Sequence, residues 1–427
     1  MDRSIKQRMT VVALLDKISA LARPGAGANF FDLPEAVLRS RRNAKWNAYG
    51  KDIIPAFVAE MDFLVADPIQ DAILRSVDKR DYGYPQHNGA KAEQAVAEAF
   101  VARMQARFGW KTDASEVQVI ADLVQGTFAP ILAFSEPGDG VILQVPSYPP
   151  FREAITSTKR ELISLTMRDD GTRHVFDLSE LEGRIDARTR ILILCNPQNP
   201  TGRVFEPQEL SALAKLAIAH DLIVISDEIH SDLVFNGRRH IPFASLGEEV
   251  AARTVTITSA TKSFNIPGLR CGVMHFGTAD LRRRFAQRIP SRLLGGCNGL
   301  GIDATVAAWT QSDAWLEAVS SHLAVARDRV VATIRSELPG VSCRSPEATY
   351  LAWIDFGALG LNGTAFQFFH DQARIALSPG ENFHPACPQF ARLNFATSMP
   401  ILDQILERLV SAARKLPAYS GRSNATA

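Results

Sequence analysis

No uninterrupted apolar stretch in this 427-residue sequence reaches the roughly 18 residues that a membrane-spanning helix requires, so none is expected. Cysteine is scarce. The five residues, Cys195, Cys271, Cys297, Cys343 and Cys387, are widely spaced and form no C-x-x-C pair. That odd, scattered set excludes a disulfide framework and a cysteine-built metal site, and points to a reducing, cytoplasmic setting. An excess of one charge is also lacking. Lys+Arg 47 against Asp+Glu 46 argues against nucleic acid or an acidic membrane as the main partner. The densest basic run, Arg282-Arg283-Arg284, reads as the solvated face of a helix. There are no internal repeats. Lys6 and Arg8 precede an apolar run from Met9 to Leu15, but Asp16 and Lys17 cut it short and no clean small-residue cleavage site follows. A helix packed on the body or on a partner is expected there rather than a secretory signal.

Apolar side chains are plentiful, at 46% of the residues, which is ample for a large core in one large or two medium domains. Their arrangement alternates. Short apolar strands are expected at Val117–Ile120, Val141–Val145, Glu161–Leu165, Ile191–Leu194, Leu222–Ile225 and Thr254–Thr258, and around Val273. Helices are expected between them, among them about Thr127 to Phe134 and Pro207 to His220, after helices from Pro68 to Lys79 and from about Ala90 to Phe108. Apolar strands separated by helices predict an α/β fold with a mostly parallel sheet covered on both faces. In such sheets ligands lie beyond the carboxyl ends of the strands.

After about Gly301 the pattern shifts to a long helix, Asp313 to Leu338, with strands at Thr349–Asp355 and Phe390–Ala396, which predicts a smaller α+β unit. An extended segment from Trp46 to Phe63 is expected to join it. The predicted organisation is therefore an extension at 1–29, a discontinuous small domain at 30–65 and 305–416, a large ligand-binding domain at 66–304, and a Ser/Gly/Asn/Thr/Ala-rich flexible tail at 417–427.

Polar residues gather at the strand ends. Ser259-Ala260-Thr261-Lys262 follows the strand at Thr254–Thr258, and Arg270 stands eight residues beyond the lysine. Such a lysine can form a Schiff base with an aldehyde cofactor whose phosphate the serine and arginine hold. Alone the motif is weak, since loop lysines are usually solvated. Asp227, in Ser226-Asp227-Glu228-Ile229-His230, can pair with a pyridinium and keep it protonated. A metal pair with His230 is the alternative, but no third ligand lies at recognisable spacing, so no metal is expected.

Asn199, in Asn196-Pro197-Gln198-Asn199-Pro200-Thr201-Gly202, can donate to a ring oxygen, with His230 as a second donor; a plain tight turn is the alternative. The turn before Thr127 brings the backbone N–H groups of Leu123 and Val124 to a helix N-terminus, a ready anion site. Tyr148, between prolines, can stack on a ring. Arg392, inside the apolar Arg392-Leu393-Asn394-Phe395-Ala396, calls for a buried carboxylate, either a substrate's or an internal Asp or Glu. Pyridoxal 5'-phosphate is the cofactor that needs all of these parts at once.

From about Phe30 to Leu416 these motifs resemble the fold-type I pyridoxal-phosphate enzymes, the class I/II aminotransferase superfamily. Ala59-Glu60-Met61-Asp62-Phe63, Tyr82-Gly83-Tyr84-Pro85, Pro146-Ser147-Tyr148-Pro149-Pro150-Phe151, His230 and Thr349-Tyr350-Leu351-Ala352-Trp353-Ile354-Asp355 are most similar to the MalY/PatB group of carbon–sulfur lyases. The resemblance implies a large domain with a seven-stranded, mostly parallel sheet and a smaller discontinuous domain. It also implies roles. Lys262 would be the Schiff-base lysine and proton shuttle. Asp227 would face the ring nitrogen and Asn199 the ring oxygen. Tyr148 would stack on the ring, Ser259 with the Leu123 and Val124 backbone would hold the phosphate, and Arg392 would grip the substrate α-carboxylate. Tyr84 would reach the phosphate of a neighbouring subunit, implying a homodimer with shared sites.

The implied reaction is β-elimination from cystathionine-like amino acids to pyruvate, ammonia and a thiol. Transamination between an L-amino acid and a 2-oxo acid is the rival, and a regulatory cofactor-binding protein the third reading. Two departures bear on the choice. Arg270 matches the aminotransferase phosphate arginine, which many of the lyases lack. The run Ser378-Pro379-Gly380-Glu381-Asn382-Phe383-His384-Pro385-Ala386-Cys387-Pro388 differs from the glycine-rich loop usual beside the substrate.

Overall fold

The computed structural model describes residues 30–416 apart from Asn88 and Asn236. The expected extension with its helix, and the expected tail, lie outside the described residues.

The central sheet has strands β2 (Val117–Ile120), β3 (Gly140–Val145), β4 (Glu161–Asp169), β5 (His174–Phe176), β6 (Thr189–Cys195), β7 (Ile223–Asp227), β8 (Thr254–Thr258) and β9 (Gly272–Phe276); β1 lies elsewhere. Their order is β2-β9-β8-β7-β6-β3-β4-β5. Neighbours from β8 to β4 are parallel. β9 runs antiparallel to both β8 and β2, and β5 closes the far edge as a short antiparallel strand. The sheet thus has the seven expected strands plus β5, an eighth that no apolar run announced.

Both faces are covered. Val141, Leu143 and Val145 alternate with Ile142, and the two sets enter different apolar clusters. Helices α1 (Asp67–Lys79) and α2 (Glu93–Phe108) precede β2; the first cluster includes residues of helices α3 (Leu123–Phe134) and α4 (Pro149–Ser157), and the second includes residues of α5 (Pro207–Ala219). Burial on two sides is why these strands read as continuous apolar runs.

A second, antiparallel sheet follows the order β10 (Ser342–Cys343), β11 (Leu351–Asp355), β14 (Phe390–Asn394), β13 (Ser378–Pro379). The early segment is laid against this part of the chain. β1 (Ile54–Pro55) pairs in parallel with β12 (Ile375–Ala376), and Asp62 N donates to Ala396 O at 2.9 Å. The segment is not extended throughout, since Ala44–Asn47 makes one helical turn capped by Asn43.

The largest departure at a helix boundary concerns α3. It starts at Leu123 rather than near Thr127, because the Asp122 side chain accepts from Val124 N at 2.8 Å and caps the helix. Gly126, which reads as a turn glycine, lies within this helix. A Cβ there would come 2.8 Å from Ile120 Cδ1, so the glycine lets the helix sit close on the sheet. The helix expected from Ala90 starts at Glu93, since Ala90–Lys91 pairs with Gln86–His87.

Candidate active site

The chain ends of β2, β3, β6, β7 and β8 meet at one cavity of about 360 Å³. Its wall includes Leu123, Val124, Tyr148, Asn199, Asp227, His230, Ser259, Lys262, Arg270 and Arg392. Ten of the eleven candidate residues are therefore together. The exception is Tyr84, whose relative exposure is 102% and which is not part of its own chain's cavity wall.

Lys262 sits on a single helical turn, Ala260–Ser263, whose cap is Ser259. Its Nζ donates to Ala59 O at 2.9 Å. Burial, helped by the positive charge of Arg392, lowers its pKa from 10.5 to about 8. An ammonium largely withdrawn from water is penalised, so the neutral amine becomes accessible near neutral pH. Asp227, the last residue of β7, accepts from Ile229 N at 3.0 Å. Burial raises its pKa from 3.8 to about 7. A carboxylate so desolvated gains from a cation placed opposite it.

The remaining residues of the Asp227 turn divide by direction. Glu228 turns away from the cavity to His240 Nε2 at 2.8 Å, Phe243 N at 2.9 Å and Ser226 Oγ at 2.8 Å. His230 faces the cavity, and burial with the nearby charge of Lys262 pushes its pKa down to about 3, so it is a neutral imidazole. Its Nδ1 has no hydrogen-bond partner. Among the described residues no cluster of three His, Cys, Asp or Glu could hold a metal ion.

Arg392 carries the most information. It lies on β14, opposite Trp353 and Ser378. Its Nη1 donates to Asn199 Oδ1 at 2.8 Å and its Nη2 to Ser378 Oγ at 3.2 Å, while Nε has no partner. The guanidinium packs over Phe383, 4.7 Å from the ring centroid. No Asp or Glu forms an ion pair with it among the described residues. Burial lowers its pKa to about 10. The internal-acid alternative is thereby removed. A buried cation without a counter-ion is costly, and an incoming carboxylate relieves that cost. The same contact orients Asn199, since an Oδ1 that accepts from Arg392 leaves the amide N–H₂ as the donor on the other side.

Polar groups also gather in the wall at the N-terminus of α3, where Asp122 and Arg270 are more open. Asp122 Oδ2 accepts from Arg270 Nη1 at 2.7 Å. Ser259 Oγ donates to Cys271 O at 2.5 Å and accepts from Thr261 N at 3.1 Å. Tyr148, half-buried in the wall, has its hydroxyl pKa raised by burial and by Asp227. Cys195 also lines the cavity, but burial pushes its thiol well up and its Sγ is spent on Pro197 O at 3.4 Å, which removes it as a nucleophile.

Sequence reasoning missed several contributors. Val58 and Ala59 line the cavity, and Val58 has φ 47, a region β-branched residues avoid. Asn394 Nδ2 holds that turn through Val58 O and Glu60 O, both at 2.7 Å. Asp122 stands in the turn expected before Thr127; its signal is that an Asp directly before an apolar helical run is a capping residue.

The donor set fits pyridoxal phosphate at each point. There is an amine with lowered pKa, a buried carboxylate without a cation, an oriented amide and an aromatic wall. A helix N-terminus with hydroxyls and an arginine stands in the same wall.

The model of the family described as aminotransferase class I and II matches residues 61–409. The chain is 32% identical to the cystathionine beta-lyase PatB of Bacillus subtilis (strain 168), covering 90% of this chain and 99% of that protein. Two solved structures share its fold. Cystalysin from Treponema denticola, described as containing a pyridoxal 5'-phosphate cofactor, superposes with a TM-score of 0.84 at 27% identity, over 91% of this chain and 99% of the other. A PLP-bound C–S lyase from Staphylococcus hominis gives 0.83 at 26% identity, over 91% and 99%. Extent of match, strand order and a cavity at the strand ends agree, and the chain belongs to the class I and II aminotransferase family, with its fold-type I architecture.

Proposed function

We propose that this chain is a pyridoxal-phosphate-dependent carbon–sulfur β-lyase acting on cystathionine-like or cysteine-conjugate amino acids. The observation that carries the reading is Arg392, a fully buried guanidinium with no acid partner, beside the oriented Asn199 and sharing one cavity with Lys262 and Asp227. A site of that kind is built for an α-amino acid. The names of the relatives, cystathionine beta-lyase and C–S lyase, support the choice of reaction.

When bound, the cofactor supplies an aldehyde carbon for amine capture and a ring that accepts electrons from the substrate Cα. The chain's residues do the rest. Arg392 takes the α-carboxylate and orients the substrate. Lys262 holds the cofactor through Nζ, then as a free neutral amine takes the Cα proton and delivers it to the departing sulfur. Asp227 keeps the ring nitrogen protonated, the Asn199 amide donates to the ring oxygen, and the neutral His230 stands beside it. Tyr148 covers one face of the ring. The Leu123 and Val124 backbone, Ser259 and Arg270 hold the phosphate.

We also infer a homodimer in which Tyr84 completes the partner's phosphate site. The exposed Tyr82, Tyr84 and Leu293 support it, as does the position of Leu293, whose carbonyl accepts from Gln125 in α3. Residues 30–65 with 305–416 would form the small domain that carries Arg392.

Transamination uses the same residues, and Arg270 in the cavity wall favours it as the second reading. Purified protein given L-cystathionine distinguishes the two. Pyruvate and free thiol released without any 2-oxo acid are expected. Amino-group transfer that proceeds only with a 2-oxo acid would replace the lyase reading with the aminotransferase one.

A further inference from the structure

The proposed phosphate site contains an acid that the proposed reaction does not employ. Asp122 lines the cavity beside Leu123, Val124, Ser259 and Arg270. Its two oxygens are both engaged, Oδ1 by Val124 N at 2.8 Å and Oδ2 by Arg270 Nη1 at 2.7 Å. These are two of the donors that a phosphate at the N-terminus of α3 would use. The helix is 12 residues long, so its N-terminal turn favours one anion, and Asp122 already supplies it. Helix capping alone does not require this charge, since Asn and Ser cap as well as Asp. The carboxylate therefore adds a negative charge to a place whose other residues suit a dianion.

We propose that Asp122 is an affinity-limiting residue of the phosphate site: it competes with the cofactor's phosphate for Val124 N and Arg270, and so holds the cofactor loosely and exchangeably. The inference rests on the reading that pyridoxal phosphate occupies this cavity. Asp122 and Arg270 are both open enough to move, at 33% and 66% side-chain exposure, so the carboxylate can yield its donors when phosphate arrives. The exchange is between two anions for the same donors, and its outcome is graded rather than all-or-none. Arg270 keeps Nε and Nη2 for bridging both anions during that exchange.

The test is the dissociation constant of pyridoxal phosphate for cofactor-free protein, read by tryptophan fluorescence and by cofactor absorbance, with inorganic phosphate as a competing ligand. Asp122→Asn keeps the cap and removes the charge. It should bind cofactor and inorganic phosphate about five- to tenfold more tightly and release cofactor more slowly, as expected for removal of a half-exposed like charge. Asp122→Ser, which also caps, should do the same and guards against a folding defect in the first variant. In a double-mutant cycle, Arg270→Ala should cost more affinity in the Asn background than in the native one. Unchanged or weaker binding by both capped variants would overturn the proposal. Failure of the native protein to bind the cofactor at all, with no reducible adduct at Lys262, would instead overturn the functional reading beneath it.

Discussion

The cavity wall presents two arginines, and they are handled in opposite ways. Arg392 is buried, gripped by Asn199 and Ser378, and has no acid beside it among the described residues. Arg270 is two-thirds exposed, has φ 46 and is neutralised by Asp122. A buried unpaired cation stores a demand for an anion and cannot relax to meet it elsewhere, which suits the rigid placement of a substrate carboxylate that we propose. An exposed, paired cation is screened and mobile, so it adds little and can be shared. The contrast suits a substrate that must be positioned at its reacting carbon and a phosphate that needs only to be held.

The contrast has measurable consequences. Lys262→Ala should cost most, about four orders of magnitude or more in pyruvate release, because on the proposed reading it removes both the attachment amine and the proton carrier. Borohydride reduction of the native protein should place a cofactor-sized mass on the Lys262 peptide, and a label elsewhere would contradict the assignment.

Arg392→Ala should lower kcat/KM by roughly 30- to 5000-fold, the effect of truncating a buried charge pair worth about 2–5 kcal/mol. Yet Arg392→Met should leave the melting temperature of the cofactor-free protein equal or higher, since it removes a buried unpaired charge. A variant that lost several degrees would show that Arg392 is structural.

Asp227 gives a pH signature. Its pKa of about 7, raised from 3.8, means that the cofactor-free folded protein binds more protons than the unfolded chain between those values. This group's contribution to stability is therefore present at low pH and lost as pH rises through about 4 to 7. Asp227→Asn should flatten that slope in urea melts of cofactor-free protein, and saturation with cofactor should remove it from the native form. Equal slopes in all three would refute the placement.

Lys262 predicts the companion trend. Its pKa near 8 makes cofactor capture speed up as pH rises through about 8 and then level off, followed by the rate of absorbance growth on reconstitution. The smallest effect is expected from Arg270→Ala, less than about tenfold in cofactor affinity, as for an exposed pair. A loss as large as that of Arg392→Ala would erase the distinction between the two arginines.

Most of the site was readable in the chain because its parts sit at strand ends, where a polar residue after an apolar run is conspicuous. Asp227 ends a buried strand, and Lys262 and Asn199 follow one within a turn. The sheet was readable for the same reason, and β5 was not, since three residues of a hairpin edge carry no periodic signal. Asp122 and the start of α3 were misjudged because Gly126 looks like a turn residue when considered locally. Its role depends on Ile120 lying beneath it. Ala59 and Asn394 were invisible as functional groups. The Lys262–Ala59 contact spans 203 residues, and Asn394 reaches back 336 residues to Val58 O.

Chain chemistry alone settled which groups are available: the amine, the acids, the amide, the two arginines, and the apolar strands whose ends present them. Those follow from residue type and short-range pattern. Which arginine is buried and unpaired, which acid faces the cavity rather than His240, and which anion already stands at the α3 N-terminus were decided only by the fold. Burial and ion pairing depend on contacts between segments distant in sequence. The desolvation they impose turns ordinary side chains into an amine near pKa 8 and a carboxyl near pKa 7.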